Sequence, residues 1–168
     1  LPESKGFTAL LDRVFASSTS GGVALRTDRR TAFLDLFGGR DSLAIDLPAG
    51  YVLLHQQGEG QVGHRIMRMG TLLEASMAEL LVVHGADPVP MRSALGLTDG
   101  EQTSVSGTML NHAMVWGRFV DQDGAIRILE ARENEVSNGV LQVSLIGATE
   151  QDLDTLRAIA ATIRRPLR

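Results

Sequence analysis

Apolar and polar positions alternate with a period of two through the last third of the chain, and near its end the period lengthens to that of a helix. In residues 111–120, Met114, Trp116, Arg118 and Val120 share one side. Residues 125–132 put Ile126, Ile128 and Glu130 on one side, and residues 140–146 form a third run. Asp121-Gln122-Asp123-Gly124 and Asn138-Gly139 between these runs are hairpin signals. From 149 to 164, Leu153, Leu156, Ile159, Ala160 and Ile163 fall at helical spacing. Thr149 and Asp152 make a capping box at the start of that helix, and Arg164, Arg165 and Arg168 complement the dipole at its end. The pattern predicts an antiparallel meander closed by a C-terminal helix.

Upstream, Phe7, Leu10, Leu11, Val14 and Phe15 predict a short helix over 7–15, ended by a Ser-, Thr- and Gly-rich loop. Residues 23–26 and 31–37 read as a strand pair, followed by a turn at Gly38-Gly39-Arg40-Asp41. Strands are expected at 43–47, 51–56 and 64–69, with Gly58-Glu59-Gly60 turning the last two into a hairpin. Thr71 with Glu74 reads as a capping box, and Leu72, Leu73, Met77, Leu80 and Leu81 as the apolar face of a helix over 71–83 stopped by Gly85 and Pro88. A helical turn at 91–95 and an edge strand at 102–106 complete the reading. The expected fold is one α+β domain, a largely antiparallel sheet packed by two main helices, at 71–83 and at the C-terminus. Residues 1–42 are either integral to it or an N-terminal extension.

Composition narrows the function classes. The net charge is -4 and rings make up 4% of the 168 residues, so neither a phosphate-binding basic face nor a base-stacking platform is expected. With no cysteine, thiolate nucleophiles, disulfides and cysteine-based metal sites are excluded. The apolar runs are too short for a transmembrane helix. An opening at Leu1 is compatible with a trimmed chain or with signal removal, and both cytoplasm and periplasm are compatible.

No motif carries specific chemistry. Gly58-Glu59-Gly60-Gln61-Val62-Gly63 matches G-x-G-x-x-G, but the strand expected after it makes it a hairpin loop, not a phosphate cradle. His55 and His64 flank that loop and would begin a metal site if the strands pair. A catalytic zinc needs a third protein ligand, for which only Glu59 is near in sequence, so no metal or cofactor is expected. Ser106, His112 and either Asp121 or Asp123 lack the nucleophile-elbow spacing of a hydrolase. Asp121-Gln122-Asp123-Gly124 has strands where a calcium loop would have helices. Trp116 and Met114 beside Arg118, Glu130 and Arg132 have the composition of an interface hot spot; they read first as core residues with solvated charges.

Ile45-Asp46-Leu47-Pro48-Ala49-Gly50-Tyr51 and the order of elements after it resemble PsbP-like domains, which include DcrB-like secretion chaperones. The resemblance covers about three quarters of the chain, and residues 1–42 depart from it. It implies a non-catalytic protein-binding, chaperone or assembly module of a bacterial envelope or secretion system. Partner contact would be centred on Met114, Trp116, Arg118, Glu130 and Arg132. The alternatives are a small enzyme with a histidine and carboxylate site, and a self-assembling subunit in which the partner is a second copy.

Overall fold

The computed structural model describes residues 26–69 and 78–167. The expected helix at 7–15, the strand at 23–25 and the Thr71–Glu74 capping box lie outside them. The elements are β1 (Arg30–Asp35), β2 (Ser42–Leu47), β3 (Tyr51–Gly58), β4 (Gln61–Arg68), β5 (Ala78–Gly85), α1 (Met91–Ala94), β6 (Gly100–Met109), β7 (His112–Asp121), β8 (Arg127–Val136), β9 (Gly139–Gly147) and α2 (Glu150–Ala160).

Seven strands form one antiparallel sheet in the order β3-β4-β5-β9-β8-β7-β6, and β1 pairs with β2 in a separate hairpin. This corrects the α+β expectation of two packing helices. Residues 78–85 form a strand between β4 and β9, and α2 is the only described helix longer than one turn. The physical reason is position. A strand with neighbours on both sides is buried on both faces, so Leu80-Leu81-Val82-Val83 is a continuous apolar run, which a helix stripe imitates. β1 pairs forward with β2 across the Gly38–Gly39 turn, where both glycines have positive φ.

Strand registers divide the sheet into two faces. On the first, Ile66, Leu80, Val82, Leu141, Val143, Leu145, Leu129, Met114 and Trp116 meet Leu34, Leu43, Ile45 and Leu47 of the small hairpin and Leu153, Leu156 and Ile159 of α2. Leu34 and Leu36, within residues 30–42, are therefore part of the core. The capping box forms as expected: Asp152 N–H donates to Thr149 Oγ1 at 3.1 Å, and Thr149 N–H donates to Asp152 Oδ2 at 3.1 Å. The chain beyond α2 is tied back by Ala44 N–H to Arg164 O (2.8 Å) and Leu110 N–H to Ile163 O (2.9 Å). On the second face, Leu81, Val83, Ile128, Ile146 and Phe119 pack with Met91, Leu95 and Leu97 of a strap, residues 86–97, that carries α1.

Candidate functional site

The five expected partner-binding residues do not make one surface. Gly117 is the cross-strand partner of Glu130, so Met114, Trp116 and Arg118 point to one face while Glu130 and Arg132 point to the other. Trp116 is 0% exposed and Met114 9%. Both pack beneath the small hairpin and α2, so neither ring nor thioether is available to a partner. Arg118 and Arg127 converge on Glu150 in the first turn of α2. The face that a strand side chain takes follows from register and from which face the helix covers, and neither is legible in alternation alone.

Glu130 and Arg132 hold the strap. Glu130 Oε1 accepts from Arg92 N–H at 3.0 Å and from Ser144 Oγ at 3.2 Å. Arg132 donates to Pro88 O at 3.1 Å and to Asp87 Oδ1 at 2.6 Å. The Arg92 guanidinium lies 4.6 Å from the centre of the Phe119 ring, a cation–π contact, and its Nε donates to Leu97 O. Between strap and sheet is a cavity of about 310 Å3 lined by Leu81, Val83, Val89, Met91, Gln142 and Ser144 among others. Gln142 is 3% exposed and its Oε1 has no hydrogen-bond partner among the described residues.

A second feature is the sheet edge. β6 is ten residues long and pairs with β7 throughout, from Gly100–Asp121 to Met109–His112, without a bulge. Among the described residues no strand lies on its outer side. Gly100–Ser104, Ser106 and Thr108 are exposed. From Gln102 to Met109 it carries no charge and no proline, the usual devices that keep an edge from pairing. Val115, across from Ser106, is 70% exposed beside it.

The histidines fall in three places. His55 and His64 are cross-strand partners, as the hairpin reading allowed. Their Nδ1 atoms are 3.5 Å apart and their rings are tilted by 53°. His64 Nε2–H donates to the Asp35 carbonyl at 2.9 Å, and burial pulls its pKa down to about 4. His84 is buried with both nitrogens in use: Nδ1 accepts from Phe37 N–H at 2.9 Å, so Nε2–H donates to Val136 O at 2.6 Å. His112 is half-exposed beside Glu133. Among the described residues no three histidine or carboxylate side chains converge as cation ligands, and no helix is long and apolar enough to cross a membrane.

Gly58–Gln61 is a hairpin turn, with only Glu59 and Gly60 between the paired strands. The G-x-G-x-x-G run therefore opens no helix. No protein-family model, curated protein or solved structure matches this chain.

Proposed function

We propose that this chain is a non-catalytic protein-binding module that adds an extended segment of a partner protein to its sheet along β6. The observation that carries the reading is the edge strand β6, which over the eight residues from Gln102 to Met109 has no charge, proline or bulge. An added strand forms main-chain hydrogen bonds along such an edge, and alternate side chains supply selectivity. Val115 offers apolar surface to one side of the incoming strand. β7, which carries Met114, Trp116 and Arg118, then acts behind the edge as its rigid support. The setting we propose is a chaperone or assembly module of a bacterial envelope or secretion system; the helix over 71–83 that the PsbP-like order of elements called for is strand β5 from Ala78.

The test is selection of random displayed peptides on the purified chain, with hydrogen exchange on the complexes. Selected peptides are expected to slow exchange of amides in 102–108, and Ser106→Pro is expected to abolish their binding while the thermal transition remains. Protection of a different segment, or binding that survives Ser106→Pro, would sink the reading. If the edge pairs instead with a second copy, wild-type chain will sediment as a dimer and Ser106→Pro as a monomer.

A second reading is favoured by one observation, the unpartnered Gln142 Oε1 in the strapped cavity. A small apolar molecule presenting one N–H or O–H group would fill that volume and satisfy the carbonyl.

A further inference from the structure

The paired histidines at the other edge of the sheet have a geometry that hairpin stability does not require. Among the described residues β3 is an edge strand, and His55 is exposed on it, directly across from His64 on β4. We infer that His55 and His64 form a binding site for one divalent cation of the zinc, nickel or copper class, held by both Nδ1 atoms.

The distance is the first argument. Zinc–imidazole bonds of about 2.0–2.1 Å at a tetrahedral angle put two ligand nitrogens roughly 3.3–3.4 Å apart. The two Nδ1 atoms are 3.5 Å apart, so a shift of about 0.1–0.2 Å suffices. The rings are tilted by 53° with their centres 4.9 Å apart, so they are not stacked face to face.

The second argument is the outer hydrogen bond. A histidine that ligates through one nitrogen generally donates its other N–H to a carbonyl or carboxylate, which fixes tautomer and ring orientation. The Asp35 carbonyl is an acceptor only, so His64 carries its proton on Nε2 and presents a bare Nδ1 towards His55. Without a cation, His55 Nδ1–H donates into that lone pair. With one, His55 takes the Nε2–H tautomer and the cation replaces the bridging proton. The Asp35 side chain adds a negative charge near enough to act on His64.

The chemistry selects the cation. Two imidazoles suit borderline metals, whereas calcium and magnesium require oxygen ligands. Two positions of a tetrahedron remain for water or a partner's side chain. The site is independent of recognition along β6, which lies at the opposite end of the strand order.

Titration of the untagged chain with zinc chloride, followed by calorimetry, tests this. One ion per chain is expected to bind saturably, and His55→Ala to weaken it at least about tenfold. His55 is exposed, so that variant is expected to keep the wild-type circular dichroism and melting curve. His112→Ala is expected to bind as wild type. Ring nitrogen spectra of histidine-labelled protein should move both Nδ1 resonances of His55 and His64 into the metal-bound range. No saturable binding, wild-type affinity in His55→Ala, or metal-bound shifts at Nε2 would each overturn the assignment.

Discussion

Gly107 and Trp116 meet across the β6–β7 ladder in a contact that leaves no room for a methyl group. A Cβ built on Gly107 would lie 2.7 Å from the Trp116 indole nitrogen and 2.9 Å from its Cδ1. The indole is fully buried and its N–H has no acceptor. Its free energy therefore comes from packing, with an unmade hydrogen bond set against it. Gly107→Ala is expected to destabilise by about 1–3 kcal/mol, because Trp116 is held from the other side by the core. Trp116→Phe removes the polar atom along with part of the ring, so it should be milder than truncation to alanine, which costs about 3–5 kcal/mol. In the double variant the two effects should not add. A coupling of about 0.5 kcal/mol or more, read from denaturant midpoints, is expected; strict additivity would show that the contact is not the constraint on residue 107.

At the scale of elements, the strap is a small unit fastened by two side chains of unequal value. Glu130 supplies a carboxylate acceptor to a backbone N–H and a hydroxyl at a partly buried position. Arg132 makes an exposed ion pair with Asp87, whose side chain is 87% exposed, and a single bond to backbone at Pro88 O, where Glu130 makes two partly buried bonds. Charge-assisted bonds to backbone are worth roughly 1.5–3 kcal/mol, exposed ion pairs roughly 0–1. Glu130→Ala is thus expected to speed hydrogen exchange of the 91–97 amides by about tenfold or more. Arg132→Ala should do so by less; equal acceleration would mean that the Pro88 and Asp87 bonds hold the strap as firmly as Glu130 does. Little of this was legible in the sequence. The meander and α2 were, because period-two runs, an Asn-Gly turn and the Thr149–Asp152 capping box act within a few residues. β5 was not, because Leu80-Leu81-Val82-Val83 fits a helix stripe as well as a two-sided strand, and the neighbours β4 and β9 that decide it are distant in sequence. The same holds for the candidate site. His55 and His64 could be placed in one hairpin by local turn chemistry. Which of Met114, Trp116, Arg118, Glu130 and Arg132 share a face depends on long-range register.

For the whole molecule, burial of His64 builds a response to acid into the fold. His64 is neutral when folded because burial disfavours its charged form, with a pKa of about 4 against 6.5 in the unfolded chain. A folded-state pKa below the unfolded value means that the unfolded chain binds the extra proton first. The contribution is fully present above pH 6.5, declines as pH falls, and is gone below about 4. A difference of that size corresponds to about 3 kcal/mol, a large part of the 5–15 kcal/mol that holds a typical domain together. The carboxylates enter lower. The Arg164 guanidinium and the Thr31 hydroxyl hold Asp46 below the ordinary carboxylate range, so its contribution is present above 3.8 and is lost as pH falls further. The two titrations therefore separate. Between pH 6.5 and 4 the loss of stability should follow His64, at up to about 1.4 kcal/mol per pH unit. His64→Gln keeps a donor for the Asp35 carbonyl and cannot be protonated, so its stability should be nearly flat over that interval and fall only below it. Urea midpoints at half-unit pH steps measure both curves. A variant that loses stability between pH 6.5 and 4 as steeply as the parent would assign the acid sensitivity to groups other than His64.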